Sequence, residues 1–143
     1  MVLSKSCEYG LRALTYLATR ENNQFYSIKS ISDDLNLSFH FLTKILQNLT
    51  ERGILFSVKG PRGGVVLARK PSEIMLIEIV AAIDGTAVFH ECIMGLPGCG
   101  HEQPCPLHEK WSMARVMLKN LFEATTLAEA AEKVPFSRLK GDL

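Results

Sequence analysis

Along this chain the apolar positions recur with a helical period at both ends, with a short β-like pair between them. Cys7, Leu11, Leu14 and Ala18 stand at i, i+4, i+7 and i+11, one face of a helix over 5–20. The polar run Glu21-Asn22-Asn23-Gln24 breaks it. Ser27 can cap a second helix with Ile28, Ile31 and Leu35 on one face. Asn36-Leu37 makes a tight turn, and Ser38 caps a third helix with Leu42, Ile45, Leu46 and Leu49 facing inward. Gly53 closes that helix as a C-cap. Two short helices across a turn of a few residues are a helix-turn-helix pattern.

Residues 54–58, Ile-Leu-Phe-Ser-Val, read as a strand, and Val65-Val66-Leu67-Ala68 reads as a second. Between them Lys59-Gly60-Pro61-Arg62-Gly63-Gly64 is a turn signal carrying two positive charges. A helix-turn-helix followed by such a basic hairpin is a winged helix. Pro71-Ser72-Glu73 then starts a fourth helix, with Ile79, Val80 and Ile83 buried and Gly85 closing it.

A long helix runs from about Leu107 to Ala124. Trp111, Ala114, Leu118 and Leu121 repeat at 3-4-3 spacing, while Met113, Val116 and Met117 make other sides apolar as well. Such a helix has a second surface to bury, and a dimer partner covering Trp111, Ala114, Leu118 and Leu121 is the expectation. Packing of both sides within one subunit is the alternative. Thr126-Leu127-Ala128-Glu129 has capping-box spacing, so a short helix follows; Phe136 to Leu143 read as a frayed tail.

Between the fourth helix and the long one the periods stop. Three of the four cysteines, Cys92, Cys99 and Cys105, lie there with His108, in a stretch holding three Gly and three Pro. Gly and Pro disfavour both helix and strand, so the stretch is a loop that gathers thiols without a core. Converging thiolates suit zinc or iron–sulfur clusters. The gaps hold six and five residues, without the short knuckle of structural zinc sites, which ranks iron–sulfur above zinc. A thiol redox switch is the further alternative. Three thiolates leave one position open, and His108 is the nearest candidate. Cys7, on the apolar face of the first helix, reads as a buried structural thiol.

Charge adds a polarity to the chain. Residues 1–70 carry ten Lys/Arg against five Asp/Glu, and residues 71–143 six against ten. A basic front half suits a polyanion. Apolar residues make up 47% of the 143, enough for a core, and no run approaches the roughly 18 needed to span a membrane. The start lacks the apolar stretch of a signal peptide, so the expectation is a cytoplasmic protein with no membrane contact. No Cys-x-x-Cys, nucleotide-binding Gly loop or nucleophile triad appears, so neither an enzyme nor a small-molecule substrate is expected.

Several stretches carry a resemblance. Glu8-Tyr9-Gly10-Leu11-Arg12-Ala13-Leu14, Phe41-Leu42-Thr43-Lys44-Ile45-Leu46, the wing Val58 to Leu67, Ile79-Val80-Ala81-Ala82-Ile83-Asp84-Gly85 and the loop Cys92 to His108 occur in this order. In them the chain resembles the IscR/NsrR-type winged-helix transcription regulators of the Rrf2 family, from near residue 3 to about 130. The resemblance implies a homodimeric regulator, a repressor, bound to a double-stranded DNA operator. It also implies an iron–sulfur cluster, 2Fe–2S before 4Fe–4S, that senses cluster supply, nitric oxide or redox state. It adds Glu8 as an alternative fourth ligand to His108. The first cysteine gap holds six residues here and five in IscR and its closest relatives, whereas the second gap and the Cys105–His108 spacing match.

The fold expected is therefore mainly α with a small β-hairpin: a winged helix-turn-helix domain plus a long C-terminal dimerisation helix. Its parts are the DNA-binding domain over 1–70, a connecting helix over 71–89 and a cluster-binding loop over 90–108. The dimerisation helix and its short successor span 107–134, and a flexible tail spans 135–143. On the third helix, Ser38, His40, Thr43, Lys44 and Gln47 lie away from the apolar face. His40, Thr43 and Gln47 are placed for base edges and Lys44 for phosphate. Lys59, Arg62 and Gly63 form the wing tip, with Arg62 suited to a narrow minor groove. Arg12 and Lys5 are candidate phosphate contacts.

Overall fold

A computed structural model describes residues 2–20, 23–97 and 102–141. Its elements in order are α1 (Lys5–Ala18), α2 (Ile28–Leu35), α3 (Phe39–Glu51), β1 (Leu55–Val58), β2 (Gly64–Leu67), α4 (Leu76–Ile83), α5 (His108–Ala124) and α6 (Leu127–Lys133). One-turn 3-10 segments occur at Pro71–Glu73, Ala87–Phe89 and Phe136–Arg138. This is a winged helix-turn-helix with a long C-terminal helix, as the hydrophobic pattern predicts.

The helix starts obey local chemistry. Ser4, Ser27, Ser38 and Thr126 each accept a hydrogen bond at the side-chain oxygen from an amide in the first turn of α1, α2, α3 and α6. Each satisfies a donor that the helix itself leaves orphaned. Between α2 and α3, Asn36 takes the left-handed conformation at φ 55°, which a short polar side chain tolerates.

Leu14, Ile31, Leu35, Leu42, Leu46 and Leu49 are fully buried in one core with Leu55, Val65 and Ile79. Each such side chain contributes about 2 kcal/mol relative to an exposed one. Gly10 allows the close crossing of α1 with α3 and α4. A Cβ there would stand 2.4 Å from Ile83 Cδ1 and 3.2 Å from Ile45 Cγ2.

β1 and β2 pair antiparallel with Leu55 opposite Leu67 and Val58 opposite Gly64. A further bridge joins Tyr26 to Val65 through hydrogen bonds of 3.0 and 2.9 Å. The wing is thereby stitched to the residue just before the Ser27 cap. Gly64, at φ +148°, makes the approach feasible, since a Cβ there would lie 2.1 Å from the Tyr26 carbonyl oxygen.

Two expectations are corrected. Pro71-Ser72-Glu73 forms a separate 3-10 turn, and α4 begins at Leu76. The Met75 amide donates to Glu78 Oε2 at 2.9 Å and the Leu76 amide to the Thr125 carbonyl at 2.9 Å, so a distant segment helps set the start. The tail is not frayed over 136–141: Leu139 is 4% exposed and belongs to the core.

Candidate nucleic-acid interface and cysteine loop

α3 buries Leu42, Ile45, Leu46 and Leu49 and turns Ser38, His40, Lys44 and Gln47 to the exterior. Thr43 is half-buried, and its hydroxyl donates to the Phe39 carbonyl at 2.7 Å. Its oxygen keeps lone pairs for an incoming donor. Ser38 Oγ accepts from the Phe41 amide at 3.4 Å, which leaves the hydroxyl proton for a phosphate oxygen. Phe39, at the start of α3, is 40% exposed beside the His40 ring, an apolar contribution that the periodicity did not flag.

Lys59 and Arg62 are exposed at the wing tip. The Gly63 amide donates to the Gly60 carbonyl at 2.9 Å, and a Cβ at Gly63 would fall 2.1 Å from the Val58 carbonyl oxygen. A cleft of about 410 Å³ between α3 and the wing is lined by Gln47, Thr50, Ser57 and Lys59 among others. Exposed donors on a helix beside a cationic hairpin can engage base edges and backbone phosphates together. Arg12 stacks over the Tyr9 ring at 5.8 Å, and Lys5 pairs with Glu8 at 3.3 Å.

In the cysteine loop, Cys92 is buried at 8% exposure, Cys105 is half-buried, and His108 is buried at the first position of α5. The His108 amide donates to the Cys105 carbonyl at 3.0 Å. Cys99 lies outside the described residues. Among the described residues no three His, Cys, Asp or Glu side chains converge as a metal site, Glu8 included. The described donors, two thiols and an imidazole, are of the soft kind that suits an iron–sulfur cluster or zinc. Cys7 is fully buried with Val80 and Phe89. Burial, with Asp84 and Glu8 nearby, pushes its thiol up to about 12, which leaves it a protonated, inert group.

The loop is tied to α5. Trp111 Nε1 donates to the Glu91 carbonyl at 2.8 Å, and Arg115 Nη1 donates to the carbonyls of His90 at 3.1 Å and Glu91 at 3.2 Å. Leu118 and Phe122 pack against the cluster of Cys7, Val80 and Phe89. On the face expected to meet a partner, Trp111 and Leu118 are half-buried, while Ala114 and Leu121 are exposed. Trp111 and Leu118 turn toward their own chain, because the segment around Phe89 needs cover. The apolar residues left exposed on α5 are Met113, Val116, Met117 and Leu121, with Ala114 alongside.

The family model described as "Rrf2: Iron-dependent Transcriptional regulator" matches residues 3–133. The regulator NsrR of Shouchella clausii is 34% identical over 92 residues, 64% of this chain and 62% of that protein. The regulator CymR of Bacillus subtilis is 30% identical over 131 residues, 92% of this chain and 90% of that protein. Its solved structure, described as that of the global cysteine regulator of B. subtilis, superposes with a TM-score of 0.77 over 93% of this chain and 98% of that one, at 27% identity. The oxidized form of Staphylococcus aureus CymR superposes with a TM-score of 0.75 at 29% identity, over 94% of this chain and 99% of that one.

Proposed function

The chain belongs to the Rrf2 family of transcriptional regulators and is a DNA-binding regulator; from that premise we propose that it is a cytoplasmic homodimeric repressor whose DNA affinity is set by an iron–sulfur cluster. α3 enters the major groove. His40, Thr43 and Gln47 meet base edges, Ser38 and Lys44 meet phosphates, and the wing places Lys59, Arg62 and Gly63 against the neighbouring backbone or minor groove. The dimer closes through the exposed apolar face of α5, which sets the spacing of the two recognition helices.

Cys92, Cys99 and Cys105 hold the cluster, 2Fe–2S before 4Fe–4S, with His108 as the fourth ligand and Glu8 as its alternative. When bound, the cluster supplies a link between the loop and the start of α5 that oxidation or nitric oxide can break. The observation that carries this reading is the tie between the residue preceding Cys92 and α5. Trp111 and Arg115 both donate to the Glu91 carbonyl, so movement at Cys92 reaches the helix that spaces the readers. Such coupling requires the two loop states to differ in their free energy of DNA binding. The family's description as iron-dependent also supports it.

A second reading replaces the cluster with a zinc site or a thiol switch among the same cysteines. The close likeness to CymR, solved also in an oxidized form, favours keeping it.

The two readings separate on anaerobic purification with a visible spectrum, an iron and sulfide count, and DNA binding measured with and without the cluster. Colour, iron and sulfide with a cluster-dependent affinity support the first. A colourless protein whose DNA affinity follows a reversible disulfide or bound zinc overturns it in favour of the second.

A further inference from the structure

We infer that residues 136–141 are a strap that positions the recognition helix by holding the turn between α2 and α3. The inference rests on α3 being the DNA-reading helix. It adds a part of the chain that has no place in the winged helix itself.

The strap leaves α6 at Val134, makes one 3-10 turn over Phe136–Arg138, and meets α1 at Tyr16 and the end of α2 at Leu35. Phe136 lies against the Tyr16 ring at 5.9 Å between centroids, and the Tyr16 hydroxyl donates to Asp34, joining α1 to α2. Leu139 then enters the core that also holds Leu35 and Leu37.

The chain ends this course on the turn. The Gly141 amide donates to the Leu35 carbonyl at 2.7 Å, and the Gly141 carbonyl accepts from Asn36 Nδ2 at 3.1 Å. The approach is close enough that a Cβ at Gly141 would stand 2.4 Å from Leu37 Cδ2. Leu35 ends α2, so its carbonyl belongs to the group that a helix cannot satisfy from within; here the strap satisfies it. Asn36 is also the one non-glycine residue with positive φ among those described. A strap bond therefore holds the side chain of the residue whose backbone sets the angle between the two helices. Ser38, the cap of α3, lies two residues further on, so a change at the turn is a change in where the reading face points.

The strap is covalently continuous with α6 and, through it, with α5. Leu127 of α6 is itself anchored by its amide to the Ile74 carbonyl at 2.8 Å. Loop, long helix, short helix, strap and turn thus form one path to the reader.

The test uses three variants of the full chain: one ending at Pro135, Asn36→Gly, and Leu139→Met. Asn36→Gly keeps a residue suited to the left-handed turn and removes only the bond to Gly141. A duplex is first selected from a random library by the unaltered protein. Each variant's affinity for that duplex is then divided by its affinity for an unselected duplex, at a temperature where circular dichroism shows it folded. A merely structural role would lower melting temperature and leave this ratio alone. The shortened chain is expected to lose at least about fivefold in the ratio, because a reader held competent for a smaller fraction of time loses affinity by that fraction. Asn36→Gly should fall between, and Leu139→Met should stay near the unaltered protein. If the shortened chain does not fold, Asn36→Gly decides alone. Wild-type discrimination in folded Asn36→Gly and in the folded shortened chain would overturn the inference. If the unaltered protein selects no duplex, the reading of α3 fails, and the strap loses its role with it.

Discussion

Trp111 reaches back from the first turns of α5 to the main chain of Glu91, the residue before Cys92, with a donor–acceptor distance of 2.8 Å. Arg115, one turn further along α5, donates to the same carbonyl at 3.2 Å. The loop and the helix therefore move as a unit at this point. Trp111→Phe keeps most of the ring and deletes the donor. Removing one hydrogen bond of about 1 kcal/mol corresponds to about fivefold in an equilibrium between closed and open loop. The variant should lose visible absorbance about that much faster on exposure to air. An unchanged decay rate sinks the role of this contact in retaining the proposed cluster.

Cys92 and Cys7 make a paired test. Both are buried thiols, but Cys7 lies in an apolar cluster with Val80 and Phe89, and its thiol is held protonated. Cys92→Ala should abolish the visible absorbance of anaerobically purified protein and its iron content. Cys7→Ala should keep both and lose only some thermal stability. Colour and iron surviving in Cys92→Ala would remove Cys92 from the ligand set.

At the wing, the exposed Arg62 sits on a turn tightened by the Gly63 to Gly60 hydrogen bond. Arg62→Ala should weaken binding to the selected duplex. It should also reduce the slope of log affinity against log salt by about one contact's worth, since each phosphate neutralised releases condensed counterions. A salt titration with unchanged affinity and slope would show that Arg62 stays off the DNA.

What the sequence reveals and what it hides divide by distance along the chain. The caps at Ser27, Ser38 and Thr126 are legible because each side chain meets an amide three residues on. The inward face of α3 is legible because Leu42, Ile45, Leu46 and Leu49 repeat with the helix. The bridge from Tyr26 to Val65 is not, since a single pairing leaves no alternation. Leu139 is hidden for the same reason: one apolar residue among polar neighbours has no period, and its partners lie about a hundred positions away, as Asn36 and Gly141 show. α5 is apolar on several sides, so its pattern did not reveal which side the chain covers. The need to cover Phe89 chooses Leu118 and Phe122. The cysteine spacing is legible as a donor set, but its gathering involves Cys99, outside the described residues.

Tyr16 gives the stability of the fold a pH dependence of definite sign. Burial first, and then its hydrogen bond to Asp34, push the phenol from its ordinary 10.0 up to about 12, with the Arg20 guanidinium over the ring opposing. Below pH 10 both folded and unfolded chains keep the proton, and this group adds no slope. Between pH 10 and 12 the unfolded chain has released it and the folded chain has not, so stability falls as pH rises through that window. Tyr16→Phe removes the titration together with the bond to Asp34. At pH 7 the variant should be less stable by about 1.5–3 kcal/mol, the range for a hydrogen bond to a charged acceptor. The gap to the unaltered protein should then narrow steadily as pH rises from 10 toward 12. Urea unfolding at a series of pH values measures both curves. Curves that stay parallel across the window would show that the phenol ionises at the same pH in the folded and unfolded chains.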